Sequence, residues 1–108
     1  MLKFVDEIPT GNEPENVSGT PDNFTLSQNY PNPFNPSTKI SYGIPVSDLV
    51  TLKIYDVLGK EVMTLVNQKQ EAGTYQIEFN AAGLPSGMYV YRIKSGSFVE
   101  TKRMMLLK

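Results

Sequence analysis

Carboxylates are the main candidates for catalytic chemistry in this sequence. Its 108 residues include 11 Asp and Glu but no His, Cys or Trp. Disulfides, thiolate or imidazole zinc sites and nucleophiles that use Cys or a His base are therefore excluded. Paired carboxylates can hydrolyse glycosides, and Asp56 and Glu61 flank one predicted turn. We interpret them as turn and solvent-facing residues, because so short a chain leaves little room for a substrate cleft. The sequence predicts no enzyme, no cofactor and no metal site.

The overall charge balance bears on possible partners. The formal net charge is −1 and charged residues make up 19% of the chain, which gives no reason to expect nucleic acid as a partner. No apolar run approaches the ~20 residues of a membrane helix. We therefore expect no membrane insertion.

The most distinctive stretch carries three prolines within six residues, Pro31, Pro33 and Pro36. They exclude a helix and an interior strand, and they predict a rigid, extended, polyproline-like path. Tyr30 and Phe34 are the only large apolar residues in this stretch. We expect both to anchor it across the open end of a β-sandwich. An ordinary rigid connection between strands explains the same residues.

The C-terminal residues combine positive charge with an apolar run. From Arg92 onward there are five Lys and Arg and one Glu, a formal net charge of +4, and four apolar residues, 104–107, precede the final Lys108. A last strand that is covered on both faces explains such a run. A basic, apolar chain end also suits a receptor that binds by strand addition. Both interpretations remain open.

Three tyrosines form a second candidate binding feature. Tyr89 and Tyr91 lie on one face of a predicted strand, and Tyr55 lies on the polar face of another. Exposed tyrosines can stack on sugars, but aromatic side chains more often fill the core of a sandwich. The sequence favours packing.

Period-two alternation dominates from residue 24 onward. It is clear in residues 39–44, 50–55 and 74–80, and weaker in 24–28, 61–66, 88–93 and 98–107. This spacing predicts antiparallel strands with one buried face, and the short strands and turns predict a sandwich. Turns are expected at 56–59, where Gly59 would take a positive φ and Asp56 would bind the turn backbone, and at Ser95-Gly96. The polar residues 67–73 are expected to hold one helical turn at most.

The first 23 residues differ from the rest. Five acidic residues, one lysine, three prolines and two glycines lie there, with a formal net charge of −4. Such a composition predicts a disordered acidic linker over residues 1–23. We interpret it as a tether to an upstream cargo domain, the alternative being the ragged terminus of a small protein.

Five stretches carry a family resemblance. They are Gln28-Asn29-Tyr30-Pro31-Asn32-Pro33-Phe34-Asn35-Pro36-Ser37-Thr38, Ile54-Tyr55-Asp56-Val57-Leu58-Gly59-Lys60-Glu61-Val62, Ala72-Gly73-Thr74-Tyr75, Leu84-Pro85-Ser86-Gly87-Met88-Tyr89-Val90-Tyr91 and Lys102-Arg103-Met104-Met105-Leu106-Leu107-Lys108. In this order they closely resemble the C-terminal sorting domain of the type IX secretion system, which exports proteins across the outer membrane in Bacteroidetes and related bacteria.

The resemblance implies an all-β fold, an immunoglobulin-like antiparallel β-sandwich of about seven strands over residues 24–108. It implies a non-catalytic signal that directs an upstream cargo through the periplasm to the cell surface or medium. The implied partners are the outer-membrane export machinery and a surface sortase-type protease. The motif residues expected to matter for recognition are Tyr30, Pro31, Asn32, Pro33, Phe34, Asn35, Pro36, Gly59, Gly87, Tyr89, Lys102, Arg103, Met104, Leu107 and Lys108.

Two alternatives share this fold. Residues 50–66 and 73–93 also resemble the immunoglobulin-like domain of flagellar hook-capping proteins. That module usually carries Trp-Asp-Gly where this chain has Phe79-Asn80-Ala81, and it lacks the proline-rich opening. The other alternative is an extracellular binding module for glycan or protein.

Overall fold

The computed structural model describes residues 14–108, which form eight β-strands. These are β1 (Glu15–Ser18), β2 (Thr25–Leu26), β3 (Ser37–Ile44), β4 (Asp48–Tyr55), β5 (Glu61–Gln70), β6 (Gly73–Asn80), β7 (Gly87–Ser95) and β8 (Phe98–Leu106). One sheet has the order β1-β6-β3-β2 and the other β5-β4-β7-β8, with antiparallel pairing throughout. The predicted all-β sandwich is confirmed, with eight strands rather than about seven. No helix in the described part of the chain is long and apolar enough to cross a membrane.

The additional strand is β1. It pairs with β6 through Glu15↔Gln76 and Asn16↔Tyr75, and it lies inside the stretch that we predicted to be linker. Its polar sequence gives no alternating pattern, so only the exposed edge of β6 reveals that it can pair. Most of the predicted linker, residues 1–13, lies outside the described residues, and the domain boundary at residue 23 remains a prediction.

The core is built from the alternating residues that the sequence indicates. Ile40, Tyr42 and Ile44 of β3 face Leu52, Ile54 and their neighbours across the sandwich, and all are fully buried. The Tyr42 hydroxyl donates a 2.6 Å hydrogen bond to Oε1 of Gln70. Burial raises the pKa of Tyr42 well above its ordinary value. A polar side chain is thus accommodated because its hydrogen bond is made inside the core.

Residues 67–73 contain no helical turn, within the predicted maximum of one, but the strand that was predicted over residues 61–66 extends into them. Residues 67–70 continue β5, and β6 begins at Gly73 after a two-residue connection. Asn67 pairs with Thr51, and Gln70 pairs with Asp48. Pairing with β4 and the buried Gln70–Tyr42 bond override a local sequence that carries no strand pattern.

The turns that lie between β4 and β5 and between β7 and β8 hold glycines at positive φ. Gly59 has φ +85°, its N–H binds the Asp56 carbonyl at 3.0 Å, and the Asp56 carboxylate accepts bonds from the N–H groups of Leu58 and Lys60. Both predictions for this turn are confirmed. The β7–β8 turn is Gly96-Ser97, one residue later than predicted, because Ser95 pairs with Phe98. Gly96 alone has positive φ there, as a type II′ hairpin requires.

Substitution of Gly59 by Val should destabilise the domain through the backbone alone. A Cβ at Gly59 meets nothing within 4 Å, so the cost, about 1–3 kcal/mol, comes from placing a β-branched residue at positive φ. Gly83→Val is the matched control, because Gly83 is equally open and has no positive φ. Urea denaturation should show a lower midpoint for Gly59→Val than for Gly83→Val. Equal midpoints would contradict the strained turn.

Candidate functional site

The topology brings most motif-bearing loops to one end of the sandwich. The proline loop (residues 30–36), the β4–β5 turn, the β6–β7 connection and the chain end all lie there; we call this the motif end. The N–H of Ala81 binds the Pro36 carbonyl at 2.8 Å, and Nζ of Lys108 binds the Ala82 carbonyl at 2.7 Å. The β4–β5 turn follows Tyr55, which pairs with Val90 near the start of β7. Residues far apart in the sequence therefore form one surface.

The proline loop is hydrogen-bonded to the outer edge of β8. The Phe34 N–H donates to the Met105 carbonyl, and the Leu107 N–H donates to the Phe34 carbonyl, both at 3.0 Å. Oδ1 of Asn32 accepts the Met105 N–H at 3.0 Å. Upstream of the loop, Nε2 of Gln28 donates to the Arg103 carbonyl at 2.7 Å. The opening motif thus covers the C-terminal half of the edge of β8.

The Phe34 side chain anchors the proline loop in the core, whereas the Tyr30 side chain does not. The Phe34 side chain is buried, with its ring centroid 5.9 Å from that of Phe79, so the predicted Phe34 anchor is confirmed. Tyr30 is 81% exposed, and its predicted anchoring is wrong. Its N–H and carbonyl both pair with Lys39 at 3.0 Å. This backbone pairing directs the Tyr30 side chain outward and places the neighbouring Asn29 inside.

The path of the proline loop also differs from the prediction. The loop bends at residues 31–33 and again at 35–36 instead of running extended. The peptide bonds before Pro31, Pro33 and Pro36 are cis. The bends allow a short segment to bind Lys39 of one sheet and β8 of the other.

A buried polar network holds the start of the loop, and sequence reasoning missed it. Nδ2 of Asn29 donates to the Pro31 carbonyl at 3.1 Å and to Oγ1 of Thr38 at 3.0 Å. Thr38 in turn donates to the Pro31 carbonyl at 2.8 Å. The Asn29 N–H donates to the Tyr91 hydroxyl at 2.8 Å, and that hydroxyl donates to the Ser27 carbonyl at 2.6 Å. The position of Asn29 directly before Tyr30-Pro31 was the only sequence signal for this network, and no local pattern indicates that the Asn29 side chain is buried.

The other predicted residues lie at or beside the motif end. Pro31, Asn32, Pro33, Asn35 and Pro36 are exposed. Gly87 begins β7 at φ +153°. Met104 is buried, Leu107 and Lys108 are exposed, and Nζ of Lys102 lies 3.4 Å from Oε2 of Glu100. The Arg103 side chain is exposed and makes no ion pair within residues 14–108.

The chain end fits the buried-strand interpretation only in part, and receptor binding there by strand addition stays a prediction. Met104 and Leu106 face the core and are buried, Met105 is half-buried and Leu107 is exposed. The four apolar residues therefore reflect a strand with one buried face, whereas its outer face is half-buried at Met105 and exposed at Leu107.

The tyrosines offer no flat platform for a sugar. Tyr89 and Tyr91 are buried, which confirms the predicted packing, and the Tyr89 hydroxyl donates to the Pro85 carbonyl at 2.7 Å. Tyr55 is half-buried, with the Arg92 guanidinium 5.4 Å from its ring centroid. The feature on which the glycan alternative depended is absent from these three residues.

Asn32→Ala should weaken the proline loop more than Asn35→Ala. Both residues precede a proline and are exposed, but only the Asn32 side chain binds β8. Loss of that bond should cost about 1 kcal/mol of unfolding free energy, with almost no change for Asn35→Ala. Urea denaturation of the two variants measures the difference. Equal effects would show that the Asn32–Met105 bond contributes nothing.

Tyr91 should make the domain sensitive to alkali. Burial raises the pKa of Tyr91 from 10.0 to about 12, with the hydrogen bond to Asn29 acting in the opposite direction. Since the folded pKa is the higher one, this stabilisation is complete below pH 10 and is lost as the pH rises towards 12. Thermal melts from pH 8 to 12 should show a smaller alkaline loss of stability for Tyr91→Phe. An identical loss in both proteins would contradict the assignment.

Comparison with known proteins agrees with this architecture. A solved structure of PorZ, described as an essential surface component of the type-IX secretion system of Porphyromonas gingivalis, matches the fold with a TM-score of 0.52 and 20% identity. The match covers 81% of this chain and 12% of that one, so this chain spans only a small part of that protein's length. No curated protein matches the sequence.

The family assignment rests on a separate comparison. The family model described as the secretion system C-terminal sorting domain matches residues 28–107. The match begins at Gln28, directly before the proline loop, and ends at Leu107, beyond β8, so it includes both partners of the contact described above. The chain therefore belongs to the family of secretion-system C-terminal sorting domains.

Proposed function

We propose that this domain is a non-catalytic sorting signal whose motif end is read by the outer-membrane machinery of the type IX secretion system. An upstream cargo is attached through the N-terminal residues that precede β1, passes through the periplasm and reaches the cell surface or medium, where a sortase-type protease acts on it. Family membership supports the sorting role. The individual partners and the transit step are part of the proposal.

The observation that carries the proposal is the contact between the proline loop and β8. The two most distinctive motifs of the sequence are joined by backbone and side-chain hydrogen bonds at one surface. The surface therefore exists only when the domain is folded. A receptor that recognises it distinguishes a folded cargo terminus from an unfolded chain, which presents the same motifs far apart.

The motif end also exposes apolar side chains that the fold itself does not need. Tyr30 is 81% exposed, Leu58 at the tip of the β4–β5 turn is 89% exposed, and Leu107 is 52% exposed. Each is presented on backbone that is held by hydrogen bonds, at Lys39, Asp56 and Phe34 respectively. Rigidly presented aromatic and aliphatic side chains lose little entropy on binding and commonly dominate an interface.

The basic side chains beside the motif end help to orient an approaching partner. Arg103 is exposed on β8, and Lys108 lies at the chain end. Charges at the rim of an apolar contact mainly guide association and select the correct partner. Deletion of residues 104–108 would be a poor test of this surface, because it also removes the buried Met104 and Leu106.

Surface substitutions at the two ends of the sandwich test the proposal. Tyr30→Ser with Leu58→Ser removes two exposed apolar residues at the motif end. Val46→Ser with Leu49→Ser removes two at the opposite end, where they are 54% and 53% exposed. The full chain is fused behind a periplasm-targeted fluorescent protein in a type IX host, and fluorescence in medium and surface fractions is measured.

Export should fall about tenfold or more for the motif-end pair, the effect of losing one good contact. It should stay unchanged for the opposite-end pair. Lys102→Glu with Arg103→Glu should also lower export while the protein stays folded in the periplasm. Equal export of both serine pairs would contradict recognition at the motif end, and failure of the unsubstituted fusion to leave the periplasm would contradict the sorting role itself.

A further inference from the structure

The proline loop leaves half of the outer edge of β8 open. The N–H and carbonyl of Met105 point outward, to Asn32 and Phe34. Since outward-pointing residues alternate along an edge strand, the backbone groups of the other odd-numbered residues of β8 also point outward. The loop and Gln28 bind the Arg103 carbonyl and both groups of Met105. Five outward groups remain without a partner among residues 14–108: the N–H and carbonyl of Val99, those of Thr101, and the Arg103 N–H.

The open segment of β8 differs from the other long sheet edge. The register of β5 against β4 shifts twice, between Leu52 and Lys53 and between Ile54 and Tyr55. Such bulges twist an edge and hinder further pairing. β8 pairs with β7 without a shift from Phe98 to Leu106. It therefore presents a regular edge on which a strand can be added.

The surroundings of the open edge are positively charged. On the outer face of the sheet, Lys94 lies opposite Val99, Arg92 opposite Thr101, and Arg103 opposite Val90. On the same face, Lys53 of β4 forms a 3.4 Å ion pair with Glu61 of β5, the strand on the side of β4 that is away from β7. Within residues 14–108, no acidic side chain forms an ion pair with Arg92, Lys94 or Arg103. Glu100 of β8 pairs with Lys102, and Asp48 lines a pocket with Lys94 without an ion pair.

A groove continues from the edge towards the proline loop. Its volume is about 430 Å³, and Gln28, Asn32, Met88, Lys102, Arg103 and Met105 contribute to its walls. Met88 and Met105 lie opposite each other on neighbouring strands and are half-buried. Methionine side chains adapt to apolar groups of different shape. The groove can therefore take an apolar side chain next to a site that favours an acidic one.

We propose that the edge of β8 from Val99 to Arg103 binds an extended, acidic segment of the export partner as an added strand. This inference rests on the proposed sorting function and deepens it by assigning a partner chemistry. Alternate side chains of the added strand share the outer face of the sheet and place a carboxylate beside Arg103, which lies on that face. Pairing stops at Arg103, because Gln28 and the proline loop occupy the rest of the edge. The chain end itself is thus not the paired segment.

Charge argues against a second copy of this chain as the occupant. Two β8 edges paired around Thr101 would bring together two strand pairs that each carry Arg92, Lys94, Lys102 and Arg103 against Glu100, a formal net charge of +3 for each copy. Two surfaces of the same net charge repel each other. An acidic strand reverses the sign of these interactions.

Amide hydrogen exchange of the full chain tests the proposal. The probe is a seven-residue peptide in which Glu alternates with Val, and a matched peptide in which Lys replaces Glu is the control. Millimolar Glu peptide should slow exchange of the Val99, Thr101 and Arg103 amides about tenfold or more, which corresponds to occupancy above nine-tenths. The Lys peptide should have no effect. Protection at β5 instead, or no protection, overturns the proposal.

Two variants locate the binding. Thr101→Pro removes one outward N–H that β7 does not use, which an edge strand tolerates, and it should abolish protection, whereas Thr101→Val should retain it. If Thr101→Pro lowers the melting temperature strongly, Arg103→Glu replaces it, because it keeps the backbone and should shift the preference from the Glu to the Lys peptide. Protection that depends on protein concentration without peptide would identify a second copy and overturn the assignment.

The export assay separates this inference from the sorting role. Export of the unsubstituted and Thr101→Val fusions, together with loss of export for the Thr101→Pro fusion, would support both the sorting role and strand addition at β8. Export of Thr101→Pro at the normal level overturns strand addition and leaves the sorting role intact. If the unsubstituted fusion is not exported, the sorting role is contradicted. The hydrogen-exchange experiment with the Glu peptide then still tests strand binding at the β8 edge independently.

Discussion

The structure depends on one constraint: the last strand lies at the edge of a sheet, and the backbone groups on its outer side need partners. The proline loop supplies them at Met105 and Leu107, and Gln28 supplies one at Arg103. A net value of about 0.5–1.5 kcal/mol for each such bond makes their sum a sizeable share of the 5–15 kcal/mol that stabilises a small domain. The loop therefore acts as a short substitute strand.

This arrangement connects fold and function. Prolines cannot donate backbone hydrogen bonds, so the loop binds β8 through Phe34 and the Asn32 side chain only. The buried Phe34 ring and the Asn29 network fix its position from the inside. Because the inner contacts are satisfied within the domain, the outward side chains, such as Tyr30, are available to a partner without loss of stability.

Much of the fold follows from the sequence because it depends on local patterns. The alternation in residues 39–44, 50–55 and 74–80 identified the central strands, and glycine chemistry identified the turn at Gly59. The features that the sequence did not reveal depend on contacts between distant segments. Polar residues 67–70 are strand only because β4 pairs with them, and β1 is strand only because β6 has an open edge. The candidate site also combines features that local patterns predict with features that depend on distant contacts. Phe34 was predictable as the apolar member of a proline run, but the outward direction of Tyr30 follows from its pairing with Lys39.

The central claim is that the buried Phe34 side chain anchors the proline loop, which in turn protects the backbone amides of Met105 and Leu107 at the end of β8. Amide hydrogen exchange of a Phe34→Leu chain tests it most directly, since the substitution reduces the ring but keeps an apolar side chain. The account predicts selectively faster exchange at Met105 and Leu107, with the amides of Ile40 and Ile77 in the opposite sheet unchanged. Unchanged protection at Met105 and Leu107, or a uniform loss across both sheets, would contradict it.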